Sequence, residues 1–253
     1  MNHCISVFSK QTATGLVAGA VLGLCLMPAI GLADGGDKAP TSGRSSGGRG
    51  CGTSAMPVQS QVPALILLTP NGQQGQTVST RPTFAWFVRD AEPLPLEFRL
   101  YEQEPGDSAQ SEARFTLIKE IKDDRLRSTP GIMVLSPTTA MPELMVGKRY
   151  RWQVELVCDS NRPSSNLFAE SVVEVVPMQP QLQRQLAQTS DRVEKARLYA
   201  QANLWYDVLK TAFITPADTT KLQALRLSLL NSVAIDATER KLLQDSAIQS
   251  IQR

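Results

Sequence analysis

Histidine is almost missing from this chain: among 253 residues the only one is His3, ahead of a short apolar run. Past that leader there is no imidazole at all. Most hydrolytic, metal and acid–base chemistry near neutral pH leans on histidine or on a free thiolate. Ser-His-Asp and Cys-His arrangements are therefore excluded. Cysteine is scarce too: Cys4 and Cys25 lie in the leader, leaving Cys51 and Cys158. Zinc or non-haem iron would have to be held by acids and two cysteines, a poor match to the usual ligand sets. Phosphate loops of the GxxxxGK[ST] or GxGxxG kind are absent, as is the Asp-rich spacing of a calcium hand. Asp107, Asp123, Asp124 and Asp159 read as turn residues. No catalytic residue, metal ligand or cofactor is expected.

An excess of one charge is also lacking. The chain has 26 Lys and Arg against 24 Asp and Glu, a formal net charge of +2. Such a balance gives no electrostatic attraction to nucleic acid or anionic lipid. Spanning a bilayer takes about 20 apolar residues. The leader's run, residues 15–26, is stopped well short of that by Pro28. A start carrying only Lys10, a short apolar core and the small-x-small end Gly31-Leu32-Ala33 make residues 1–33 a secretory signal, with cleavage expected after Ala33. The expected location is periplasmic or extracellular, with no membrane insertion after cleavage. In an oxidising compartment Cys51 and Cys158 are expected to pair.

What is present divides into three stretches. Residues 34–60 are mostly Gly/Ser-rich and read as a flexible linker, with Arg44 and Arg49 as solubilising charges. Residues 61–177 hold short β-rich runs at 64–69, 83–88, 96–102, 114–121, 131–136, 150–158 and 168–176, broken by turn signals such as Pro70-Asn71-Gly72. In the third run Leu96, Phe98 and Leu100 share one face, with Glu97 and Arg99 on the other. About seven such strands argue for an antiparallel β-sandwich with one face of each sheet buried. In the sixth, Tyr150, Trp152, Val154 and Leu156 point inward and end at Cys158.

From residue 178 to 253 the composition favours a helical bundle, making the whole an α+β protein. Residues 181–188 form a first helix. Asp191 with Glu194 caps a second, 204–213 follows a break near Asn203, and Thr215-Pro216 opens a helix striped by Leu222, Leu225 and Leu229. Asp236 with Glu239 caps the last, where Leu243, Ala247 and Ile251 share a face.

The phrases Thr69-Pro70-Asn71-Gly72, Arg81-Pro82-Thr83-Phe84-Ala85-Trp86 and Gly147-Lys148-Arg149-Tyr150-Arg151-Trp152 resemble strands of fibronectin type III-like modules in the immunoglobulin-like class. That resemblance implies a core role for Trp86 and a corner tyrosine at Tyr150. Tyr199, Asn203, Trp205, Val208, Leu209 and Ala212 resemble one tetratricopeptide-type hairpin. With Leu156-Val157-Cys158-Asp159 and Ala200-Gln201-Ala202-Asn203-Leu204-Trp205-Tyr206-Asp207, the combination resembles a cyanobacterial family catalogued only as domain of unknown function 928. The resemblance implies an exported protein and supplies no catalytic residue.

The expected function is a non-catalytic interaction or structural module of the cell envelope, with an unknown envelope protein as partner. Asn203, Leu204, Trp205, Tyr206 and Asp207 are the candidate partner surface, because aromatics at a helix junction often anchor partners. The alternative is a carbohydrate-binding or glycoside-cleaving protein. It would stack sugar on Trp86 and Trp152 and use two carboxylates among Glu97, Glu155, Glu170 and Glu174.

Overall fold

Three of the β-rich runs, LIL at Leu65–Leu67, FAWFV at Phe84–Val88 and GIMVLS at Gly131–Ser136, are apolar on both sides of the pleat. Such strands need cover on both faces. A computed structural model of the chain describes residues 43–45, 51, 62–71, 74–104, 113–213 and 220–252. The expected signal, most of the linker, Asp107 and Thr215-Pro216 lie outside the described residues. Within one compact unit, residues 38–253, two sheets and a layer of helices supply the cover those strands need.

The first sheet orders β1 (Leu65–Leu67), β3 (Phe84–Val88), β6 (Gly131–Ser136) and β9 (Ile248–Gln252). The second orders β2 (Gly75–Thr77), β8 (Leu167–Val175), β7 (Arg149–Leu156), β4 (Leu96–Glu104) and β5 (Arg114–Ile121). Inward side chains of both sheets make one core. Phe84 and Trp86 from the first sheet meet Phe98 and Trp152 from the second, with ring centroids 4.9–6.4 Å apart. Helices α2 (Arg192–Gln201), α3 (Trp205–Phe213), α4 (Thr220–Val233) and α5 (Ala237–Gln244) cover the other face of the first sheet. There Ile66, Leu68, Phe87, Ile132 and Val134 pack against Leu209, Phe213, Leu230 and Leu243. Helix α1 (Pro180–Ala187) sits to the side, with Leu182 against Leu198 and Leu204.

The helix starts follow their capping residues. Asp191 accepts from the N–H groups of Val193 and Glu194 at 2.8 and 3.3 Å. Asp236 accepts from Glu239 N–H at 2.8 Å. Each satisfies donors that a helix N-terminus leaves open. The break before α3 falls at Asn203, whose φ of 59° no helix accommodates.

Three expectations change. The sheets are mixed, not antiparallel: β2 pairs with β8 and β9 with β6 in parallel. Both added strands are short and lie at sheet edges, where a parallel neighbour needs only one partner. Second, α5 ends at Gln244, and Ala247 and Ile251 do not continue its face. Ile248 joins the helix-side core and Ile251 the inter-sheet core, as residues three apart on a strand between two cores must. Gly131, at φ 104°, makes this approach, since a Cβ there would stand 2.5 Å from the Ala247 carbonyl oxygen. Third, Arg44 is no solubilising charge: it bridges to Ile66 and is partly buried against α5.

Candidate functional site

The residues expected to carry function separate into an internal hinge and an external sheet face. The hinge follows from α3's position. Trp205 reaches across to donate from Nε1 to the Leu68 carbonyl at 2.9 Å. Tyr206 is fully buried, its hydroxyl accepting from Trp152 Nε1 at 2.8 Å. A Cβ on Gly75 would come within 2.5 Å of the Tyr206 ring, so only glycine lets β2 lie there. Burial pushes the Tyr206 phenol well above its ordinary range. Asp207 accepts from Thr77 Oγ1 at 2.9 Å and Val78 N–H at 3.0 Å. Desolvation still raises its carboxyl, against the lowering by those bonds. Leu204 is also buried, Trp205 half-buried and Asn203 exposed. Most of the 203–207 segment thus faces inward, joining the helices to both sheets.

Cys51 and Cys158 form a disulfide, with Cα atoms 4.9 Å apart and a sequence separation of 107. It ties the segment before β1 to the end of β7. Tyr150 makes a corner bond: its hydroxyl accepts from Met145 N–H at 2.9 Å, across a turn that Gly147 allows at φ 85°. Asp123 and Asp159 accept from backbone N–H groups two residues on, at 2.8 and 2.9 Å, as turn residues do.

The sugar-stacking arrangement does not form. Trp86 and Trp152 are both fully buried in the inter-sheet core. The strand glutamates lie on the outer face of the five-stranded sheet, all but Glu174 bound to cations. Arg99 ion-pairs with Glu97 on its own strand, Glu155 on β7 and Glu120 on β5, the last at 2.9 Å. Lys122 Nζ holds the second Glu97 oxygen at 2.8 Å, and Asn166 Nδ2 donates to Glu155 Oε1 at 2.6 Å. These carboxylates hold Arg99 and Lys122 above their ordinary pKa values, although burial opposes the shift. Glu170 faces Arg151, and Glu174 accepts from Gln76. Among the described residues no group of three or more His, Cys, Asp or Glu is placed to hold a metal.

Further along this face the charges give way to apolar groups. Phe115 and Leu117 on β5 are 36% and 47% exposed. The Arg151 guanidinium lies 3.6 Å from the Phe115 ring centroid and 5.3 Å from that of Tyr101. Sequence reading passed over this patch because β5 alternates poorly. A register shift between Leu100 and Tyr101 accounts for that, slipping the pairing by one residue.

The family model described as Domain of Unknown Function (DUF928) matches residues 44–243. The chain belongs to that family. DUF928's matched span opens at Arg44, the residue anchored to α5, and closes at Leu243 in α5 itself. No curated protein matches the chain. One solved structure is similar over part of its length, a Cellvibrio japonicus lytic polysaccharide monooxygenase important for efficient utilization of chitin. Identity is 14% and the TM-score 0.28, covering 43% of this chain and 58% of that one. This DUF928 chain therefore spans little more than half of that protein. No helix among the described residues is long and apolar enough to cross a membrane.

Proposed function

We propose that this DUF928 protein is an exported, non-catalytic interaction module of the cell envelope, which presents the outer face of its five-stranded sheet to a protein partner. The observation that carries this reading is the asymmetry between the sheets. Helices cover the outer face of one, while the other exposes Phe115 and Leu117 beside a guanidinium. Exposed apolar groups rimmed by charge are the usual mark of an interaction surface.

The core architecture is read as a fibronectin type III-like sandwich. Support comes from the antiparallel orders β1-β3-β6 and β8-β7-β4-β5, and from the Tyr150 corner bond. Export is supported by the disulfide, a bond that persists in oxidising compartments. Glycan cleavage gains nothing here, since Glu97, Glu155 and Glu170 are tied to arginine or lysine and Glu174 to a glutamine amide.

Photo-crosslinking in living cells tests the reading. A photoreactive residue at Leu117 is expected to capture one envelope protein, while the same residue at exposed Leu227 on α4 captures none. Failure at Leu117 sinks the assignment of this face.

A further inference from the structure

Arg99 and Arg151 both lie on the outer face of the five-stranded sheet, and they are supplied with acid very differently. Arg99 is gripped by three carboxylates. Arg151 has one, Glu170, at 3.5 Å, and its Nε is buried with no acceptor among the described residues. An arginine stacked on a ring keeps its fork of N–H donors in plane for a carboxylate. The Arg151 side chain remains 27% exposed over Phe115.

The strand beside it is a sheet edge. β5 pairs with β4 on one side and has no strand on the other among the described residues. Two of the other edges are occupied: β1 by the bridge from Arg44 to Ile66, and β2 by Asp207 and Tyr206 of α3. β5 runs for eight residues with Arg114–Leu117 exposed, long for an edge left open. Its one carboxylate, Glu120, is already taken by Arg99.

We propose that β5 accepts an extended, acidic segment of a partner protein as an added strand. A carboxylate of that segment closes on Arg151, and its apolar side chains cover Phe115 and Leu117. This rests on the reading of the outer face as the partner surface. Main-chain bonds along a free edge supply affinity, and alternate side chains supply selection. The deficit of acid around Arg151 selects for carboxylate, because arginine–carboxylate pairs are among the strongest protein hydrogen bonds.

The test is fluorescence anisotropy on the disulfide-intact protein with two labelled decapeptides, one alternating valine and glutamate, the other valine and lysine. The glutamate peptide is expected to bind saturably, and the lysine peptide about tenfold or more weakly. Arg151→Gln abolishes that preference in a protein that still melts cooperatively. Glu170→Gln, which frees Arg151 of its one acid, tightens the glutamate peptide, so the prediction survives even if Arg151→Gln misfolds. Equal binding of both peptides, or of neither, overturns the proposal. So does a dimer in sedimentation equilibrium that Leu117→Ser abolishes, which would assign β5 to a second copy of the chain. Crosslinking at Leu117 without peptide discrimination would remove this inference and leave the interaction module standing; loss of both would remove both.

Discussion

Glu239 is a carboxylate with 1% exposure whose Oε1 meets Arg44 Nη2 at 2.6 Å. The same Nη2 donates to the Val233 carbonyl at 2.6 Å, and Asn71 Nδ2 donates to the carbonyls of Ser232 and Val233. The C-terminus of α4 is thereby closed by side chains from the sheet layer. Replacing Arg44 with alanine leaves a buried carboxylate uncompensated, at a cost of about 3–5 kcal/mol. Adding Glu239→Gln is expected to recover part of the lost melting temperature; equal melting of Arg44→Ala and wild type would contradict the latch. Asp207 makes a pH prediction. Its pKa is raised in the folded state, so folding carries no penalty below the ordinary carboxylate range and loses stability as pH rises through the raised value. Asp207→Asn removes that dependence. Urea midpoints are expected to favour the variant more at pH 7 than at pH 4, and parallel profiles would refute the assignment. The Arg44 pairing was not legible in the sequence: Arg44 lies in a tract whose composition says only that it is polar, and its partner is 195 residues away.

At the scale of elements, the sequence located what local patterning encodes. Arg114–Ile121 and Gly131–Ser136 coincide with their β-rich runs, and the Asp191 and Asp236 caps start helices where their side chains predict. β2, three residues with Gly75 at its head, carries no pattern of its own. β9 misleads more actively, because Ile248 and Ile251 sit at a helix-like spacing although a strand between two cores demands apolar groups on both faces. The non-alternating LIL and FAWFV runs were the available signal that the first sheet is covered twice. Gly131→Ala tests β9's seat. The positive φ and the approach to Ala247 both oppose a Cβ, so the variant is expected to lose β9's amide protection in hydrogen exchange. Retained protection would mean that β9 does not depend on this contact.

For the whole molecule, the helices and the sheets hold one another in place. A chain ending at residue 177 would expose Ile66, Leu68, Phe87, Ile132 and Val134, each worth about 1.5–3 kcal/mol of burial. It is expected not to fold cooperatively; a sharp melt of that fragment would show the two sheets to be autonomous. The disulfide closes a separation of 107 residues, worth roughly 4–5 kcal/mol in the chain-entropy model. Reduction is therefore expected to lower the unfolding midpoint strongly. These layers leave the outer face of the five-stranded sheet open. Amide hydrogen exchange should be compared between the isolated protein and any complex captured through a crosslink at Leu117. Rapid exchange is expected along Arg114–Ile121 in isolation and marked slowing in the complex, with Gly131–Ser136 slow in both. Unchanged β5 exchange, with protection gained on the helices instead, would contradict the assignment of this face.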